Sequence, residues 1–184
     1  MTKFYNASLS SSWLGGKSND LATLPKGLHT LDGVEFDVRG IIQLGSKSPS
    51  STNYPAQVKG IPVHQPCRQL HFLHAAAFGS PAEEGTQIGT YVVNFATNQT
   101  RLQIPIRYGS EVRDWHVLPG ELPAPEDLTV VWRGANALSK SEDRSIRLFL
   151  TTWTNTAPEV PIQTIDYVSS IATAAPFLIA ITAE

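Results

Sequence analysis

Arg101-Leu102-Gln103-Ile104-Pro105-Ile106-Arg107-Tyr108 is the stretch on which the fold class turns. Leu102, Ile104, Ile106 and Tyr108 alternate with Arg101, Gln103, Pro105 and Arg107, a period of two that puts the apolar side chains on one face of an extended chain. The spacing predicts a half-buried β-strand. Because Pro105 has no N–H to donate, this strand belongs at a sheet edge or at a bulge. Just upstream, residues 88–96 are rich in Val, Tyr and Phe, and the polar Thr97-Asn98-Gln99-Thr100 separates the two runs by the length of a turn. A β-hairpin is predicted.

Working outward, similar β-rich runs occupy 34–44, 70–77, 128–132, 146–153, 162–168 and 177–182. Connectors such as 45–51 and 119–125 carry the Pro, Gly and Ser that favour turns and irregular surface backbone. Only Asn19-Asp20-Leu21-Ala22-Thr23-Leu24 reads as one helical turn, with Asn19 or Asp20 as cap and Pro25-Lys26-Gly27 as stop. No internal repeat and no composition break divides the chain. The expectation is an all-β single domain over 1–184, an antiparallel two-sheet β-sandwich.

Composition agrees with that class. Of 184 residues, 41% are hydrophobic and only 16% charged, with 13 glycines and 13 prolines, a balance that favours strands and loops over solvent-facing helices. Lys and Arg total 14 against 16 Asp and Glu, so the formal net charge is −2 and the basic footprint of a nucleic-acid binder is missing. No run approaches the ~20 apolar residues of a membrane-spanning helix, so membrane insertion is not expected. Met1-Thr2-Lys3-Phe4-Tyr5-Asn6 has no apolar signal core, and a domain excised from a larger multidomain protein is the expectation. Cys67 is the single cysteine, which excludes an intramolecular disulfide and a cysteine-based zinc site by count.

Four tryptophans, Trp13, Trp115, Trp132 and Trp153, dominate the search for a site. Each can be a core residue or a flat platform for the C–H face of a sugar ring. Trp115 stands in Gly109-Ser110-Glu111-Val112-Arg113-Asp114-Trp115-His116, where a turn brings charged and aromatic groups together. There Trp115 can stack on a ligand while Asp114 and Arg113 orient its hydroxyls. Alternatively, Arg113 and Asp114 cap or pair at a strand end and Trp115 points inward. Trp13 sits in a loop-like setting, Trp132 precedes Arg133-Gly134-Ala135-Asn136, and with Tyr54 they are further candidate platforms; Asn155 is a weaker polar candidate beside Trp153.

Other constellations carry less. His71 and His74 are three apart, which on a strand sends them to opposite faces, and the Glu of an H-E-x-x-H zinc motif is missing. Cys67 beside Arg68 has no locatable base or oxyanion site, and reads as a small buried hydrophobe. Glu35 and Asp37 alternate with Val34, Phe36 and Val38 as the outer face of a strand. There is no Gly-rich phosphate loop and no G-x-S-x-G elbow.

The ordered segments Gly33-Val34-Glu35-Phe36-Asp37-Val38-Arg39-Gly40, Leu70-His71-Phe72-Leu73-His74-Ala75, Gly89-Thr90-Tyr91-Val92-Val93, Ile104-Pro105-Ile106-Arg107-Tyr108-Gly109 and Asp114-Trp115 resemble the galactose-binding-like jelly-roll modules of bacterial carbohydrate-active and cell-surface proteins. So does the ending from Trp153-Thr154-Asn155 through Ile165-Asp166-Tyr167 to Leu178-Ile179-Ala180-Ile181-Thr182. The resemblance implies a non-catalytic carbohydrate-binding module, outside the cell or at its surface, linked covalently to other domains and partnered by a polysaccharide or oligosaccharide. It implies no required cofactor, with a structural calcium ion in many members; a D-x-D-x-D-G cluster does not occur here. Two other expectations stand beside it: a protein-interaction or assembly domain of a bacterial surface or regulatory protein, and a small jelly-roll glycoside hydrolase or lyase.

Overall fold

A computed structural model describes residues 2–97 and 101–184. Its elements, in chain order, are β1 (Gly27–Leu31), β2 (Val34–Val38), β3 (Ile42–Gln43), β4 (Gln57–Gln65), β5 (Gln69–Ala77), β6 (Gln87–Phe95), β7 (Arg101–Arg107), β8 (Thr129–Gly134), α1 (Ala137–Ser141), β9 (Ile146–Thr154), β10 (Ile162–Ser169) and β11 (Ala175–Ala183). With 47% of residues in strands and 7% in helices, the chain is all-β. The strands form a four-stranded sheet, β4-β10-β6-β7, a five-stranded sheet, β3-β11-β5-β9-β8, and the hairpin β1-β2. All named pairings are antiparallel, and the two larger sheets form a sandwich-like arrangement.

Aromatic rings fill the space between the sheets. Phe72 of β5 stacks on Tyr91 of β6 with centroids 4.0 Å apart, and Tyr91 stacks on Tyr167 of β10 at 4.9 Å. His74, two residues from Phe72, reaches the same interior and shares hydrogen bonds with the Tyr91 hydroxyl (2.9 Å) and the Thr151 hydroxyl (2.8 Å). His71 instead bonds Thr152 at 2.8 Å on the other face of β5, as residues three apart on a strand must. The β1-β2 hairpin packs against β11, where the Thr182 hydroxyl donates to the Glu35 carbonyl, and buries Phe36 completely.

β6 and β7 pair as the expected hairpin, and β7 is an edge strand, which leaves Pro105 without a second neighbour to serve. Asn98, Gln99 and Thr100 of the expected turn lie outside the described residues. The run 34–44 divides at Arg39-Gly40 into β2 and β3, and the Tyr5 ring packs over Gly40, with Tyr5 Cγ 2.7 Å from where a Cβ would sit.

The helical turn expected over 19–24 does not form. The Asp20 carboxylate takes the Ala22 N–H at 3.0 Å and holds the backbone in a turn, a local bond that competes with helix. The one α-helix among the described residues is α1, opened by Asn136: its side chain accepts the Ser139 N–H at 2.8 Å while the Ser139 hydroxyl accepts the Asn136 N–H at 3.0 Å. Two strands were also hidden, β1 and β4. Within β4, Gly60 and Pro62 interrupt the β pattern; Gly60 adopts φ +73° at a register shift opposite Asp166, and Pro62 faces solvent on an edge strand.

Candidate functional site

The sequence points to the tryptophan cluster around Trp115. The 113–115 segment runs beside the end of β5: Ala76 N–H donates to Arg113 O at 3.1 Å and Trp115 N–H to Ala76 O at 2.8 Å. That backbone pairing lays the Trp115 indole under the N-terminal segment, against Trp13 (centroids 4.9 Å) and Phe177 (6.1 Å), and leaves it 2% exposed. Trp13 is equally committed. Its Nε1–H donates to Gln43 Oε1 at 3.0 Å, and its carbonyl accepts the Tyr54 hydroxyl at 2.6 Å.

The expected stacking platform at Trp115 and Trp13 is therefore corrected: both indoles are core side chains, and a sugar ring has no open face there to lie on. The polar partners are engaged as well. Arg113 ion-pairs with Glu84 at 2.7 Å and donates to the carbonyls of Leu122 and Pro123 at 2.7 and 3.3 Å. Asp114 accepts the Gly79 and His116 N–H groups at 2.9 and 2.8 Å. Burial pushes its carboxyl up to about 7, against the downward pull of those two N–H groups and of Arg147. Asn155 is buried too, donating to Cys67 O and Ala157 O and accepting Ala157 N–H, which knots the turn after β9. Trp132 is half-buried with its ring over Gly134, and Tyr54 is half-buried against the core.

Cys67 is buried, and burial raises its thiol. Among the described residues no group of three or more His, Cys, Asp or Glu side chains converges as a metal site. The carboxylates nearest the expected site, Glu84 and Glu121, face guanidinium groups instead: Arg113 meets both, and Arg147 pairs with Glu121. Cations already fill the role a calcium ion would take, and the residues there do not fit one.

A second grouping of polar side chains lies on the open face of the four-stranded sheet. A groove of about 450 Å³ crosses it, lined by Lys59, Gly60, Asn94, Phe95, Arg101, Thr164 and Asp166. Strand register explains the grouping. Asn94 of β6 stands opposite Thr164 of β10 on one side and Arg101 of β7 on the other, so the three form one cross-strand row. In the adjacent row, Asp166 stands opposite Val92, and Val92 opposite Gln103. At the β4 end of that row the bulge at Lys59-Gly60 faces Asp166, whose Oδ1 accepts the Gly60 N–H at 2.8 Å. Asn94 Nδ2 donates to the Thr164 hydroxyl at 3.2 Å, presetting the middle of the groove, and half-buried Phe95 gives it an apolar wall.

None of these residues stands out from the sequence as a site residue; Asp166 enters there only within the segment Ile165-Asp166-Tyr167. They come from four strands joined only by pairing, so no local motif contains them. The available signals were the glycine inside a β pattern at Gly60, which marks a bulge, and the polar Asn94 in an otherwise apolar run. No protein-family model matches the chain, and neither does any curated protein or solved structure compared with it. No helix among the described residues is long and apolar enough to cross a membrane.

Proposed function

We propose that this chain is a non-catalytic carbohydrate-binding module of the galactose-binding-like jelly-roll type, holding a larger extracellular or surface protein near a polysaccharide. One observation carries the reading: the groove across the four-stranded sheet, where the row Thr164, Asn94 and Arg101, with Lys59 and Asp166 beside it, stands next to the aromatic side chain of Phe95. Asn94 and Thr164 offer amide and hydroxyl groups, Asp166 accepts, and Lys59 and Arg101 donate, the mix of partners that polyhydroxylated rings require. Asp166 is the single carboxylate lining the groove, with one oxygen held by Gly60, whereas glycoside cleavage ordinarily uses a pair. The groove is open to solvent, which suits a polymer that binds and leaves from the surface.

Affinity electrophoresis through gels containing plant, algal and microbial polysaccharides tests the proposal. Retardation by at least one polymer is expected, abolished in Asn94→Ala with Thr164→Ala while the melting temperature stays within a degree or two. A folded protein retarded by none of the polymers, or retarded equally in the double variant, overturns it.

A further inference from the structure

We infer that the groove is built for an acidic polysaccharide, one whose sugar rings carry carboxylates. The inference rests on the binding-module reading and concerns the charge of the ligand. Lys59 belongs to β4 at one edge of the sheet and Arg101 to β7 at the other, with β10 and β6 between them. Three strand spacings of ~4.8 Å put the two backbones roughly 14 Å apart, so a ligand touching both must be a chain of rings rather than one.

Both cations are exposed, and among the described residues neither forms an ion pair. Of the other seven arginines, Arg39, Arg107, Arg113, Arg144 and Arg147 each have a carboxylate partner, while Arg68 and Arg133, which lie outside the groove, have none among the described residues. Against the two free cations the groove holds one carboxylate, Asp166, which sits inward on β10 and is fastened to the Gly60 bulge. The groove thus carries an excess positive charge on a chain whose formal net charge is −2.

That excess decides between neutral and acidic ligands. Seating a neutral sugar over Lys59 and Arg101 removes water from two charges and returns hydrogen bonds to uncharged hydroxyls, leaving both charges without a counter-charge. A uronate returns hydrogen bonds between opposite charges, and with Arg101 they can be bidentate. The distribution also sets the pose. Carboxylates engage the cations at the two ends, and ring hydroxyls meet Asn94, Thr164 and Asp166 in the middle, where a ligand carboxylate would be repelled by Asp166.

The experiment compares polygalacturonate and alginate with fully methyl-esterified polygalacturonate and with neutral xylan and β-glucan, by titration calorimetry on the intact chain. Esterification keeps the backbone and removes the charge. Binding of a uronate polymer, weakened about tenfold or more in its esterified form, reduced by added salt, and lost stepwise in Lys59→Gln and Arg101→Gln, is the expected result. Both side chains are exposed, so both variants should melt with the parent protein. Equal binding of charged and neutral polymers, unaffected by these two substitutions yet lost in Asn94→Ala with Thr164→Ala, overturns the acidic ligand while the binding module stands. Failure of every polymer to bind overturns both.

Discussion

Trp13 and Trp115 lie with ring centroids 4.9 Å apart and planes inclined by 43°, two tryptophans from distant parts of the chain packed into one cluster with Phe177. The pair closes the N-terminal segment over the sheet and is a device of stability. Trp115→Ala is expected to destabilise the protein by about 3–5 kcal/mol, the usual cost of removing a fully buried large aromatic. Denaturant unfolding measures it. Any polysaccharide affinity should survive in the fraction that remains folded; loss of binding without loss of stability would return Trp115 to the role of a platform.

His74 and Asp114 oppose one another in their response to pH. Burial holds His74 down at about 3 and pushes Asp114 up to about 7. Below about 6.5 the unfolded chain protonates its histidine while folded His74 stays neutral, so His74 lowers stability as pH falls, by roughly 1.4 kcal/mol per pH unit. Between the unfolded value near 3.8 and about 7 it is folded Asp114 that holds the extra proton, so Asp114 raises stability as pH falls, by a similar slope. The two contributions cancel over about pH 4–6.5. In Asp114→Asn the compensation is gone: its stability should climb more steeply with pH than the parent's, by about 1.4 kcal/mol per unit across that window. Urea melts at several pH values provide the comparison, and parallel profiles would refute the opposition.

The fold was legible wherever a strand alternated cleanly. Leu102, Ile104, Ile106 and Tyr108 announce β7, and Pro105 announces its place at an edge. β4 was illegible because Gly60 and Pro62, ordinarily strand breakers, are absorbed by a bulge and a solvent-facing edge position that only the partner strand β10 creates. Helix α1 hid for a related reason: Asn136 pairs with Ser139 where a capping box more often has Glu or Gln. The site was harder still. Whether Trp115 faces water depends on Trp13 folding over it, and the groove exists only because register sets Asn94 between Thr164 and Arg101. Both are facts of long-range pairing, and local composition carries neither.

The bulge that helps shape the groove can be tested separately from the ligand. Gly60 holds φ +73°, where an L side chain is strained, yet no atom lies within 4 Å of the position a Cβ would take. Gly60→Ala should therefore lose about 1–2 kcal/mol through backbone strain alone. Asp166→Ala removes the acceptor of the Gly60 N–H and should lose about 1 kcal/mol. Because the bulge and the carboxylate act through one hydrogen bond, the double variant should lose less than the two losses added together. Full additivity in a thermodynamic cycle would show that Asp166 does not stabilise the bulge.

Glu121 holds the 119–125 loop to the body of the sandwich. One of its carboxylate oxygens pairs with Arg147 and also accepts the Leu118 N–H at 3.0 Å; the other lies 4.0 Å from Arg113. Both arginines are buried, so removing the carboxylate leaves guanidinium charge with less compensation inside the protein. Arg113 keeps Glu84 and two loop carbonyls, whereas Arg147 keeps only the Asp114 carbonyl, at 3.0 Å. The loss therefore falls chiefly on Arg147. Glu121→Gln is expected to destabilise by about 3 kcal/mol, near the lower end for breaking a buried pair, and to increase hydrogen exchange in the 117–125 backbone. Arg147→Met in the Glu121→Gln background should recover part of that loss by removing the stranded charge. A double variant less stable than Glu121→Gln alone would show that Arg147 acts mainly through its own packing, including the face of Phe149 at 5.2 Å.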